Sequence, residues 1–196
     1  MKWLILCAAG ILHAGGAQAQ DAVLDRFMRT FDRCGEKITA EAAEMHVGCV
    51  TEIRPNVTRR IFIAAGYMAG DRRPPAEVIK GLDEYKLAVN DVIEKGQSIE
   101  RAVIRRGEGP LPGDSDSFTM SLLYKYATWL ANPWEVNETI AINYMNEVWM
   151  ISITANFDCS TEATNYKCPA DLVADAQPLL EATQPFRAEV LALFGR

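Results

Sequence analysis

The sequence predicts an all-α, single-domain helical bundle of about seven to nine helices held by two disulfides. Three observations lead there. Apolar residues recur at three- and four-residue steps through most of the chain; Val78, Ile79, Leu82, Tyr85, Val89, Val92 and Ile93 form the clearest run. Helix-start and helix-stop residues punctuate these runs, as in Asn132-Pro133-Trp134-Glu135 and at Gly96. Aromatic residues concentrate between Phe118 and Phe157, where Tyr124, Trp129, Trp134, Tyr144 and Trp149 offer the buried area a core needs.

The chain opens on Met1-Lys2, an apolar run from Trp3 to Leu12, and Ala17-Gln18-Ala19. That order reads as a secretory signal peptide over residues 1–19, with Gln20 starting a mature domain over 20–196. The run is shorter than the roughly 20 residues a membrane span needs. No twin arginine precedes it, which favours the general secretory route. Leu6 before Cys7 is too bulky for a lipoprotein signal. The expected location is therefore the periplasm or the extracellular space, with no transmembrane segment.

In the mature part, Leu24, Phe27, Met28 and Phe31 form one helical face from Asp21 to Arg33. Thr39 caps a helix through the alanines at 40, 42 and 43 that stops near Arg54 before Pro55. Asn56 caps a third, with Val57, Ile61, Ala64, Ala65 and Met68 on its face and Gly70 at its end. Asp71 to Pro75 is a break, and Pro75 begins the long amphipathic helix ending at Gly96. A short helix runs from Ser98 to Arg106. The stretch Gly107 to Ser117, rich in Gly, Pro, Ser and Asp, reads as the longest loop. Helices from Phe118 to Ala131 and from Pro133 to about Ala155 follow. For Trp149 to Ala155, rich in β-branched residues, a strand is the alternative. Asn156 to Cys168 is a polar loop, Pro169 starts a helix that Pro178 kinks or breaks, and Gln184-Pro185 starts the last one.

Four cysteines remain after the leader, and an even count in an exported chain reads as disulfides. Of three connectivities, Cys34–Cys49 with Cys159–Cys168 closes the shortest loops, each worth about 2–4 kcal/mol. The formal charge of −6 becomes one unit more negative without Lys2, which argues against nucleic acid as a partner.

His46 is the only mature histidine, so sites needing several histidines are excluded and no metal or cofactor is expected. His46 and Cys49 alone supply too few ligands for a closed site. No serine lies in a G-x-S-x-G turn, and the cysteines are expected to pair. Asp114-Ser115-Asp116 lacks the glycine and distal glutamate of a calcium loop. Carboxylate pairs remain as candidate acid–base chemistry, namely Glu138 with Glu147 or Asp114 with Asp116.

The candidate binding residues are aromatic anchors and arginines. Trp129, Trp134, Tyr144 and Trp149 offer a groove, and Arg59, Arg60, Arg72 and Arg73 an anionic contact. The expectation is an exported, non-enzymatic protein binding another protein or an envelope component, of the inhibitor or immunity type. The alternatives are an envelope hydrolase using a carboxylate pair and a helical carrier of an apolar small molecule.

Overall fold

Seven β-strands dominate the computed structural model, which describes residues 20–34, 36–39, 44–68, 70–82, 101–126, 134–159 and 167–196. The strands are β1 (Glu36–Thr39), β2 (Glu44–Arg54), β3 (Val57–Met68), β4 (Arg101–Leu111), β5 (Asp114–Tyr126), β6 (Trp134–Tyr144) and β7 (Glu147–Asp158). They form one antiparallel sheet in the order β1-β2-β3-β7-β6-β5-β4. The described helices are α1 (residues 20–30), α2 (residues 75–82), α3 (Ala170–Ala174) and α4 (Gln177–Leu193).

This corrects the all-α helical bundle. The expected helices after Thr39, after Asn56, before Arg106, after Phe118 and after Pro133 are strands wherever they are described. The rest of the expected helices, at 40–43, 83–100 and 127–133, the loop at 160–166 and the leader at 1–19 lie outside the described residues. The misreading has a physical cause. A four-residue step is close to one helical turn, and it is also two full periods of a strand. Val136, Ile140 and Tyr144 satisfy both. The positions between them decide: Ile142 is buried in the same inward register as Val136 and Ile140. In β7, Trp149, Ile151, Ile153, Ala155 and Phe157 alternate inward without a gap.

The turns show why the strands fold back on themselves. Pro55-Asn56 joins β2 to β3, with Asn56 at φ 63°. Pro112-Gly113 joins β4 to β5, with Gly113 at φ 78°. Proline followed by a residue at positive φ is the type II combination. Met145-Asn146 joins β6 to β7 with both residues at positive φ, 54° and 65°, as a tight hairpin demands. The segment read as a long loop is thus the end of β4, a turn and the start of β5.

Helices cover both sheet faces. On the inner face, Val23, Leu24, Phe27 and Phe31 of the α1 segment pack with Leu172 of α3 and Leu179, Val190 and Leu193 of α4. They meet Val57, Ile61 and Ile63 of β3, Val136, Ile140 and Ile142 of β6, and the inward row of β7. Each such aliphatic side chain contributes about 1.5–3 kcal/mol when buried. On the outer face, Val78 and Ile79 of α2 pack against Met120, Leu122, Tyr124, Ala141 and Val148.

The α1 stripe matches its expected helix. Pro178 falls in the first turn of α4, where a missing N–H is harmless, and Pro185 lies inside the same continuous helix. Cys34 is bonded to Cys49, tying the end of the α1 segment to β2. Cys159 is bonded to Cys168, tying the end of β7 to the approach to α3. Among the described residues no helix is long and apolar enough to cross a membrane.

Candidate functional site

Helix α4 lies over β6 and β7, so its two sides meet different surroundings. Leu179, Thr183, Val190 and Leu193 form its buried stripe. The neighbouring stripe, Gln177, Glu181, Gln184, Arg187 and Leu191, borders the flank of the sheet toward β5 and β4. Such spacing places residues on one helical face. The result is a groove made of two clefts that share Gln184 and Arg187.

The first cleft, of about 440 Å3, lies between Ser121 of β5, Val136 and Glu138 of β6, and α4. Glu138 occupies an inward register position, opposite Ile153 in β7 and Ser121 in β5. Its side chain is 7% exposed, and Oε1 lies 3.1 Å from Nε of Arg187, which is 29% exposed. Burial pushes the Glu138 carboxyl above its ordinary range; the nearby Arg187 charge pulls the other way without cancelling the shift. Glu181 stands exposed on the same cleft and accepts from Gln177 Nε2 at 3.0 Å.

The second cleft, of about 580 Å3, lies between the Pro112-Gly113 turn and the end of α4, with Ala188 and Leu191 on its wall. Asp114 Oδ2 is 3.0 Å from Arg196 Nε, their side chains 10% and 29% exposed. Asp114 Oδ1 accepts from the Asp116 backbone N–H at 2.9 Å. Ser117 Oγ accepts from the Leu111 N–H and donates to the Asp114 carbonyl, each at 3.3 Å, which holds the turn in shape. Thr119 Oγ1 donates to the Gly109 carbonyl at 3.1 Å across the same hairpin. Both clefts therefore pair a carboxylate from the sheet with an arginine from the C-terminal segment.

The described aromatic candidates, Trp134, Tyr144 and Trp149, belong to the core. Trp149 is fully buried, its ring 5.3 Å from Tyr67 and 5.4 Å from Phe194. Tyr144 meets Phe194 edge-on at 5.4 Å. Trp134 is buried, donates from Nε1 to the Val173 carbonyl at 2.9 Å, and carries Lys125 Nζ 4.9 Å from its ring centroid. Trp129 lies outside the described residues.

The arginine candidates are divided by the sheet. Arg59 and Arg60, adjacent on β3, project to opposite faces. Arg60 pairs with Asp158 at 2.6 Å. Arg72 and Arg73 follow the far end of β3, about 30 Å along the strand direction at ~3.3 Å per residue. Arg73 pairs with Asp71 at 2.6 Å, and Arg72 borders a separate polar cleft with Asp116, Asn143 and Asn146.

Of the carboxylate candidates, Glu138 and Glu147 also separate, while Asp114 and Asp116 stay two residues apart on β5. Glu147 lies opposite Tyr144, while Glu138 lies opposite Ile153, six β7 residues away. That is about 20 Å of strand, against the ~5–10 Å a glycosidase pair requires. Glu147 instead accepts from the Gly70 N–H at 2.9 Å. Glu138 was named in sequence only as half of a carboxylate pair with Glu147. Arg187, Gln184, Glu181 and Arg196 carried no local signal, because they come to the groove only through the docking of α4. Among the described residues no group of three or more His, Cys, Asp or Glu is placed to hold a metal.

No family model and no curated protein sequence matches the chain. Among solved structures the chain is similar to one titled "Protein Mog1 E65A mutant", with 13% identity over 74% of this chain and 90% of that one, at a TM-score of 0.29.

Proposed function

We propose that the protein is an exported, non-catalytic binding protein that receives a segment of another envelope protein in the groove between α4 and the β5–β4 flank. One observation carries the reading. Over the first cleft α4 presents Gln177, Glu181, Gln184 and Arg187, and under them lies a buried carboxylate, Glu138, paired with the partly exposed Arg187. Burying an ion costs several kcal/mol, and a cleft with a perturbed ionisable group is a candidate site. An inhibitor or immunity-type role toward an envelope component agrees with a groove that holds without reacting. Export is supported by the leader pattern at 1–19 and by disulfides, which belong to oxidising compartments.

The Glu138–Glu147 form of the hydrolase alternative loses support from the ~20 Å between them. The apolar-carrier alternative loses support because Trp134, Tyr144 and Trp149 pack against protein.

The test uses the full mature chain as bait for native envelope extracts, beside an Ala188→Trp variant that fills the second cleft of the groove. The expected result is a specific partner held by the wild type and lost by the variant, with unchanged melting temperature. Identical captures by both, or turnover of any envelope substrate lost on Glu138→Gln, would overturn the proposal.

A further inference from the structure

We propose, building on that groove reading, that the cleft over Glu138 takes a cationic side-chain end, an ammonium or guanidinium carried by a lysine or arginine of the partner segment. The charges lining this cleft are Glu138, Glu181 and Arg187, so carboxylates outnumber guanidinium groups. An incoming cation therefore gains more attraction than repulsion, and an incoming anion the reverse. The chain's formal charge of −6 steers cations in the same sense.

The acceptor chemistry also fits. A carboxylate offers about four acceptor sites, and an ammonium brings three donors. Oε1 of Glu138 receives Arg187, which leaves acceptor capacity on the buried group. Ser121 and Gln184 place a hydroxyl and an amide on the same cleft, able to accept the remaining donors. Val136 and Leu180 provide apolar wall for the methylene stem, the usual way long cationic side chains are housed. Burial keeps the Glu138 carboxyl raised even with Arg187 beside it, so Arg187 alone does not offset the cost of burying its charge. A second cation supplies that compensation.

Arg187 is then a competitor as well as a neighbour. In an anion site its removal weakens binding; in a cation site its removal strengthens it. This opposite sign makes the inference testable apart from the groove reading.

The experiment titrates the mature protein with acetyl-Gly-Ala-Lys-Ala-Gly-amide and its norleucine and glutamate counterparts, followed by isothermal calorimetry. The lysine peptide should bind more tightly than norleucine by about tenfold or more, as a charged hydrogen bond implies. Glu138→Gln should remove that preference. Glu181→Gln, on the exposed rim, should lower affinity about two- to threefold, since exposed pairs are weak, and this variant keeps the test open if the first folds poorly. Arg187→Gln should tighten the lysine peptide. Equal binding of lysine and norleucine overturns the inference. So does a preference for glutamate that Arg187→Gln abolishes. If none of the peptides binds while Ala188→Trp still abolishes capture, the charge inference fails and the groove stands. If Ala188→Trp leaves capture intact, the groove reading itself fails.

Discussion

Replacing Glu138 by glutamine removes one titrating oxygen pair from the floor of the cleft at almost constant volume. The folded carboxyl is raised above the unfolded value by burial, with Arg187 opposing. A raised acid holds its proton longer in the folded state than in the unfolded one. From the unfolded carboxyl pKa up to the folded value, the native state therefore binds more protons, and stability falls as pH rises. Across that window the group contributes a slope of up to about 1.4 kcal/mol per pH unit, which levels off above the folded pKa. For a chain of this length each ~1 kcal/mol corresponds to roughly 2–4 °C in melting temperature. Glutamine cannot titrate, so the variant lacks this slope. It also loses the pair with Arg187, which is 29% exposed. An ion pair with one solvent-screened member is worth little, on the order of 1 kcal/mol or less. The expectation is a variant that gains on the wild type as pH rises from 4, and that matches or exceeds it at pH 7. Urea unfolding of both proteins at half-unit steps from pH 4 to 8 measures the difference directly. Parallel curves would refute the reasoning. So would a variant that loses ground with rising pH, which would mean that the arginine holds the carboxyl below its ordinary range.

Two further outcomes follow from the core and its covalent ties. Trp149→Ala should cost about 3–5 kcal/mol by chemical unfolding, because a fully buried ring is removed. Trp149→Phe should cost clearly less, since Nε1 has no hydrogen-bond partner and phenylalanine deletes that buried donor. Cys159→Ser with Cys168→Ser opens the loop closed over a separation of 9 residues and should cost about 2–4 kcal/mol. Thiol titration of the unfolded wild type should find no free cysteine in the mature chain.

The parts of the fold that could be read in the chain are those decided by neighbours. The α1 stripe of Leu24, Phe27 and Phe31 was legible because one helix face is written within three turns. The disulfide pairs lie 15 and 9 residues apart, so spacing favoured them before any fold was known. The strands were illegible for an equally local reason. Their inward residues, Val57 and Ile61 or Val136 and Ile140, are four apart and serve either period. The turn residues should have broken the tie. Pro55-Asn56 and Pro112-Gly113 are hairpin corners, yet each also reads as a helix stop or a loop.

The functional candidates divide along the same line. Glu138 was a candidate only as one of a carboxylate pair, and its intended partner Glu147 is carried about 20 Å away by the ladder. Its actual neighbour, Arg187, is on another element. Trp134, Tyr144 and Trp149, which suggested a groove, instead pack into the core, because a sheet covered on its inner face buries its large alternate side chains.

Composition, charge and local spacing were enough to determine the leader pattern, the acidic balance, the lack of a multi-histidine site, the first helix and the short disulfide loops. Those are properties of residues within a few positions of one another. The sheet, its order, the exposed flank beside α4 and the meeting of Glu138 with Arg187 were decided by packing between segments far apart in the chain. A four-residue apolar step satisfies helix and strand alike, and the choice falls to whichever arrangement buries both neighbours at once.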